Sequence, residues 1–166
     1  MGSQNWGWIG GLLMVATGAI ASAADPATPA AGDPRVEAAL RAAGLRYSLD
    51  GGDFRLEYDV DEARSQRVWV ASDTGRIDEL EMRDVWSVAA RGKGEVPADL
   101  ARMLLKENVR MILGAWQVSH NEEEYLVVFS APVSAAADAA TLEEVIEVVM
   151  FSADRIEKQL SEKDQF

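Results

Sequence analysis

The sequence predicts an α+β protein, a two-layer domain in which an antiparallel sheet carries helices packed mainly on one face. Apolar residues recur at helical spacing in three segments and alternate with polar residues in six others, in the order α-β-β-β-β-α-β-β-α. Short turn-forming sequences join successive strands, and connections of that length favour antiparallel pairing.

The first helix is predicted to begin at Pro34, with Asp33 as its N-cap, and to end near Gly44. Its apolar face consists of Val36, Ala39, Leu40 and Ala43. Four strands with alternating apolar and polar side chains are then predicted over residues 45–49, 54–60, 67–71 and 80–88. The turn sequence at residues 50–53 makes the first two strands a hairpin, and a second turn is predicted at residues 73–75.

The second half of the chain adds a helix and two strands. Pro97 is placed to begin a helix that runs to about Asn108. Strands near residues 111–118 and 124–131 flank a polar turn at residues 119–122.

The last helix is predicted from a capping box. Thr141 and Glu144 have the spacing in which each side chain bonds the other's backbone N–H group. The apolar stripe of this helix consists of Leu142, Val145, Ile146, Val149, Ala153, Ile156 and Leu160.

Composition limits the classes of function. The chain has 166 residues and 48% hydrophobic residues, which suits one domain with a sizeable core. Its net charge of −12 repels phosphate backbones, so we expect no nucleic-acid partner and favour basic or unfolded cationic segments. With no cysteine and one histidine, neither a thiolate nucleophile nor a two-histidine metal site can form. We expect no cofactor.

The first 24 residues have the features of a secretory signal peptide. They carry no charged side chain, the segment from Trp8 to Ile20 is apolar, and Ala21 to Ala24 offers small residues for a signal peptidase. This predicts a periplasmic or secreted protein. The alternative is an uncleaved N-terminal membrane anchor, because no Lys or Arg precedes the apolar run, and only then would the protein contact a membrane. Residues 25–33 are predicted to be a flexible linker and residues 34–166 a single domain.

Some strands carry apolar side chains on both faces. A two-layer domain leaves its second sheet face exposed, so apolar side chains there need a cover. Either a helix or the linker of the same chain supplies that cover, or a second copy or another protein does. The candidate partner-binding residues on this face are Trp69, Leu113, Leu126 and Val128.

No group of residues predicts catalysis. His120 falls in a predicted turn without metal-ligand or triad partners at suitable spacing. The 28 acidic residues are distributed along solvent-facing positions, and no pair stands in an apolar setting that would suit acid–base work on a sugar. We therefore expect that the protein is not an enzyme.

The order of elements, together with the acidic charge, resembles the YbjN-like family of bacterial sensory transduction regulators, whose fold is similar to that of class I type III secretion chaperones. The resemblance covers roughly residues 35–160, and its most specific part is Asn108-x-Arg110 at a helix end leading into a strand with Gly114 and Trp116. The other segments that carry it are Val36–Leu45, Tyr47–Glu57, Arg67–Val70 and Leu104–Val118. The resemblance implies a non-catalytic, protein-binding module that is often dimeric, and it supplies no catalytic residues.

The expected function is therefore that of a non-catalytic exported protein-binding module, chaperone-like or regulatory. It would act by forming a dimer or by capturing a segment of a partner. Two alternatives stay open: an envelope enzyme of glycan hydrolase type with paired carboxylates, and a purely structural envelope protein.

Overall fold

The structure is a computed structural model, and it describes residues 31–61, 64–120, 123–161 and 166. The predicted signal peptide or anchor, residues 1–24, and the predicted linker up to residue 30 lie outside the described residues, as do Asn121 and Glu122 of the predicted turn. Within the described ranges, no helix is long and apolar enough to cross a membrane.

The described residues form three helices and seven strands, and the predicted α+β class is confirmed. In chain order the elements are α1 (Pro34–Ala42), β1 (Ser48–Asp50), β2 (Asp53–Asp61), β3 (Arg64–Val70), β4 (Gly75–Ile77), β5 (Leu80–Lys93), α2 (Ala98–Asn108), β6 (Ala115–His120), β7 (Glu124–Ser134) and α3 (Ala139–Leu160). The element order matches the predicted one, with the short strand β4 added where the sequence indicated a turn.

All strands pair antiparallel in one open sheet of order β1-β2-β3-β5-β7-β6, and β4 pairs with β5 outside this path. The longest ladder joins β5 to β7 and runs from Met82–Ser134 to Lys93–Glu124. Its register shifts at Ala89, which is inserted between the paired residues Val88 and Ala90, as in a β-bulge.

The helices pack on one face of the sheet and form the main core with it. Helix α3 lies against β3, β5 and β7, α1 contacts α3, and α2 contacts β6. The predicted apolar stripe of α3 is confirmed for most of its length, since the helix buries Ile146, Val149, Ala153 and Ile156 completely. From the sheet, the main core receives Phe54, Leu56, Val68, Val70, Val85, Trp116, Val127 and Phe129.

Helix α3 begins earlier than the sequence predicts. Its N-cap is Asp138, whose Oδ1 accepts a hydrogen bond of 2.8 Å from the backbone N–H of Thr141. The predicted capping box of Thr141 and Glu144 is therefore wrong, because Thr141 already lies within the first turn. Asp is at least as good an N-cap residue as Thr, so Asp138 satisfies the free N–H groups at the start of this helix in place of Thr141.

Strand β5 turns its larger apolar side chains away from the helices. On the core side it places Val85, Ser87 and Ala89, all buried. Trp86 and Val88, which alternate with them, point to the opposite face. Ser87 is tolerated in the core because its hydroxyl donates a 2.5 Å hydrogen bond to the carbonyl of Arg67.

The junction between β3 and β5 depends on side chains as well as backbone. Backbone pairing covers Trp69–Trp86 and Val70–Val85. Beyond these pairs, the amide of Gln66, which is 0% exposed, donates 2.8 Å hydrogen bonds to the Ser87 hydroxyl and to the Val88 carbonyl. Gln66 thus supplies a donor to a buried carbonyl that the backbone ladder does not satisfy.

The N-terminus of α1 is fixed to the sheet by a buried ion pair. Asp33 caps α1 as predicted and accepts a 2.7 Å hydrogen bond from Arg83 of β5, whose guanidinium also donates to the Ala71 carbonyl. Hydrogen bonds from Arg35 and then Arg83 hold the pKa of Asp33 well below its usual range, against the opposing effect of burial. A Cβ at Gly32 would overlap the Phe54 ring, so Gly32 and Asp33, placed in the linker from sequence, pack into the domain.

We predict that Gln66→Leu lowers the free energy of unfolding by roughly 1–3 kcal/mol, because the Val88 carbonyl and the Ser87 hydroxyl lose their buried donor. Urea unfolding followed by circular dichroism measures the change. Gln117→Leu, at an exposed position of β6, is the control and should change stability by less than about 0.5 kcal/mol. Equal effects of the two substitutions would contradict this role for Gln66.

We predict that Asp33→Asn reduces the dependence of stability on acid pH. Because the pKa of Asp33 is lower in the folded protein than in the unfolded chain, where it is about 3.9, its carboxylate stabilises the fold above that pH. This contribution is lost as the pH falls, so stability of the unmodified protein should decline more steeply between about pH 5 and 2 than that of the variant. Asp59→Asn, which removes an exposed carboxylate on β2, controls for the charge change. Parallel curves for all three proteins would refute the prediction.

Candidate partner-binding face

The outer face, by which we mean the sheet surface opposite the helices, carries a pair of stacked indole rings. Trp69 of β3 and Trp86 of β5 are directly paired across the strands. Their ring centroids are 4.5 Å apart and their planes differ by 6°. The Trp69 indole N–H donates a 3.1 Å hydrogen bond to Asp50, which orients the ring. Both side chains remain partly exposed.

Beside the stacked indoles lies a small apolar cluster. Val88, Val128 and Phe166 are 6%, 7% and 6% exposed, and Trp86 and Leu126 pack against them. Val88 and Val128 are paired residues of β5 and β7. In the part of the chain that the structure describes, no helix contributes a side chain to this cluster.

Charged side chains border the indole pair on the side of β2 and β3. Glu57 lies 3.5 Å from a guanidinium nitrogen of Arg55 and 3.4 Å from one of Arg67. On the other side, the Ser130 hydroxyl donates a 3.1 Å hydrogen bond to Asp84. These exposed ion pairs add little stability. They surround the apolar centre with polar groups, as at many protein interfaces.

The structure brings three of the four predicted site residues to the outer face. Trp69, Leu126 and Val128 lie there as predicted. Leu113 does not, because β6 begins only at Ala115, and Leu113 packs against the main core. The cause is Gly114, whose φ of 77° interrupts the extended backbone.

Sequence reasoning missed three members of this face: Trp86, Val88 and Phe166. The positions of Trp86 and Val88 could have been predicted from the sequence, because these residues alternate with Val85 and Ser87. No sequence pattern predicts the position of Phe166, because it is an isolated aromatic residue after a polar segment.

The motif around Asn108 closes part of the sheet edge. Oδ1 of Asn108 accepts a 2.7 Å hydrogen bond from the backbone N–H of Trp116, and Nδ2 donates a 3.2 Å bond to the Trp116 carbonyl. The side chain thus makes the two bonds that a residue of a neighbouring strand would make. The Trp116 ring is buried against Phe129 at a centroid distance of 5.0 Å. The motif that carries the family resemblance therefore has a structural role here.

His120, which was considered for catalysis, and the buried carboxylate of Asp53 both make structural contacts. His120 is the last residue of β6 rather than a turn residue, and its Nε2 lies 3.0 Å from the Gly94 carbonyl. Burial raises the pKa of Asp53, whose carboxylate accepts a 2.8 Å hydrogen bond from the Ser72 N–H group. Among the described residues, no group of three or more His, Asp or Glu side chains is arranged to hold a metal ion.

These features define an α+β protein whose open antiparallel sheet is covered by helices on one face and carries aromatic and aliphatic side chains on the other. A scan against known protein families and a search of curated proteins each found no match to this chain. The resemblance to the YbjN-like family stays a prediction.

We predict that Asn108→Ala lowers the free energy of unfolding by roughly 1–2 kcal/mol, because two hydrogen bonds to Trp116 are lost at the sheet edge. Amide hydrogen exchange should also show faster exchange at Trp116, with little change in β2. Lys106→Ala, an exposed substitution in the same helix, is the matched control. Unchanged protection of Trp116 in Asn108→Ala would show that the amide does not hold this edge.

Proposed function

We propose that the protein is a non-catalytic, exported protein-binding module that presents its outer face to another protein chain, either a second copy or a segment of a different protein. The observation that supports this proposal most directly is the stacked pair Trp69 and Trp86, partly exposed beside the apolar cluster of Val88, Val128 and Phe166. Tryptophan is enriched among the residues that contribute most to binding at protein interfaces.

The arrangement of the outer face supports a protein partner. Its centre is aromatic and aliphatic, whereas its border carries the ion pairs of Glu57 with Arg55 and Arg67. An apolar centre within a polar border allows water to be excluded from the centre after contact. The net charge of −12 favours a partner with basic residues, because opposite charge accelerates encounter.

The proposal extends to family and location. An order of elements like that of the YbjN-like family, and of type III secretion chaperones, supports a chaperone-like or regulatory role. The signal sequence features of residues 1–24 support a periplasmic or secreted location, and a retained leader would attach the module to a membrane instead.

The test compares substitutions on opposite faces. Trp69→Ser removes half of the indole stack, and Phe151→Ser removes an aromatic ring that is 57% exposed on α3, on the helix side of the protein. Sedimentation over a range of concentrations measures self-association, and fluorescence anisotropy measures binding to a panel of extended basic peptides with apolar residues.

We predict that the unmodified protein either self-associates or binds peptides of this panel, and that Trp69→Ser weakens the interaction about ten-fold or more. Phe151→Ser should stay within about two-fold of the unmodified protein. The proposal fails if the protein is monomeric at every concentration and binds no peptide, or if the two substitutions have equal effects.

A further inference from the structure

The end of helix α2 exposes three aliphatic side chains to solvent. Leu105 is 67% exposed and Val109 86%, whereas Ile112 is fully exposed. Leu105 and Val109 are four residues apart and therefore neighbours on one side of the helix, and Ile112 follows in the connection to β6. Single exposed aliphatic residues are common, but three close together form a surface that favours contact with an apolar phase.

The exposure of these side chains follows from the way α2 packs. Among its residues the helix buries only Leu104, and Leu100 and Met103 pack partly against the main core. At 100° per residue, Leu105 and Val109 point about 100° and 140° away from Leu104 around the helix axis. They therefore face solvent when the inner side of the helix is packed.

A row of cations runs beside the aliphatic side chains. Arg102, Lys106 and Arg110 recur every four residues, and all three are exposed. Lys106 is next to Leu105 in the chain, and Arg110 is next to Val109. We call this surface the basic–apolar strip, and it consists of Arg102, Leu105, Lys106, Val109, Arg110 and Ile112.

The acidic residues of α2 do not neutralise the strip. Glu107 lies on the inner side of the helix, where its side chain is 16% exposed and bound to Arg155 of α3 at 2.8 Å. Asp99 forms an ion pair with Arg102, but both side chains are largely exposed, and such pairs are weak. Lys106 makes no ion pair with any residue that the structure describes. The strip is thus a positively charged surface on a chain whose net charge is −12.

From these observations we propose that the basic–apolar strip docks on the surface of an anionic lipid bilayer. Leu105, Val109 and Ile112 enter the boundary between headgroups and acyl chains, and the cations beside them bind lipid phosphates, as in amphipathic helices that lie in a membrane surface. The proposal goes beyond the protein-binding function, because it uses a helix end rather than the outer face of the sheet.

The negative net charge of the chain does not prevent this contact. Charges are screened over about 8 Å at physiological ionic strength, so the cations that touch the bilayer outweigh acidic residues on distant surfaces. Those acidic residues instead turn the protein so that α2 faces the anionic surface. The contact does not require residues 1–24, so it also applies to a protein whose leader has been cleaved, for which the sequence predicts no membrane contact.

The composition of the strip favours a lipid surface over a protein partner. Its apolar side chains are aliphatic, and it has no tryptophan or tyrosine, the residues that are enriched with arginine at the centres of protein interfaces. Its cations are spaced along the helix and have long, flexible side chains, which suits the many mobile phosphates of a bilayer. An acidic apolar segment of another protein is the competing occupant, and the experiment distinguishes it.

The absence of cysteine from the chain permits a local measurement. A single introduced cysteine can be labelled specifically with a dye whose emission depends on the polarity around it. Ile112→Cys places the dye in the strip, and Ile77→Cys, at a residue 68% exposed at the end of β4, is the matched control. Both full-length proteins are titrated with vesicles of phosphatidylcholine and with vesicles containing about one third phosphatidylglycerol, which is anionic.

We expect the dye at position 112 to show brighter, blue-shifted emission with the anionic vesicles, and the dye at position 77 to show no change. Neutral vesicles should require at least about ten-fold more lipid for the same response. Adding Lys106→Gln and Arg110→Gln to Ile112→Cys should raise the lipid concentration at half-response roughly 30-fold, because each cation near an anionic surface contributes about five-fold.

A second pair of substitutions controls for the change in net charge. Arg46→Gln with Arg76→Gln removes two exposed cations outside the strip and should change the response by less than about two-fold. Circular dichroism checks that each variant is folded. Equal responses at positions 112 and 77, equal responses to the two kinds of vesicle, or equal effects of the two double substitutions would overturn the proposal.

A response at position 112 to an acidic peptide with apolar residues, without a response to vesicles, would also overturn the proposal, in favour of a protein partner. None of these measurements involves Trp69 or the basic peptide panel, so the lipid contact and the protein-binding function can fail separately.

Discussion

The hydrogen bonds of Gln66 and Ser87 across the junction of β3 and β5 hold the two halves of the sheet together. One half consists of β1, β2 and β3, and the other of β5, β7 and β6, and the backbone joins them through few pairs. Helix α3 crosses this junction and contacts both halves. Arg64 at the start of β3 reinforces the crossing through a 2.7 Å ion pair with Asp154 of α3. The amide nitrogen of Gln66 and the hydroxyl of Ser87 are hydrogen-bonded at this junction, whereas the buried Oε1 of Gln66 has no hydrogen-bond partner among the described residues.

The separation of β3 and β5 explains how one sheet supports two apolar surfaces of different kinds. On the core face, the bridging side chains keep the layer under α3 continuous, so the main core is uninterrupted. On the outer face, Phe166 packs with Val88 and Val128 next to this divergence. The stacked rings of Trp69 and Trp86 mark the last point at which the strands pair regularly. The indole pair and the apolar cluster of Val88, Val128 and Phe166 are adjacent because Trp86 belongs to both.

Much of this fold could be predicted from local patterns in the sequence. The N-cap Asp33 and the buried face of α1 followed from spacing, and alternation placed Trp69, Leu126 and Val128 on the correct side of their strands. The predictions for the start of β6 and for the N-cap of α3 were wrong, because in each place the sequence offers more than one local pattern. Gly114 delays β6 and draws Leu113 to the core, whereas Asp138 and Thr141 are both suitable caps and only the surrounding structure selects between them. The positions of Gln66 and Phe166 depend on contacts between residues distant in sequence, and no periodicity encodes those.

The side chain of Asn108 has a consequence for how copies of the protein can assemble. A sheet with an exposed edge can accept further strands one after another, and that mode of growth has no natural end. At β6 the amide of Asn108 occupies the outward N–H and C=O of Trp116, so a strand arriving there would first have to move the end of α2. The residue that completes the fold thus also closes this position of the β6 edge to an added strand.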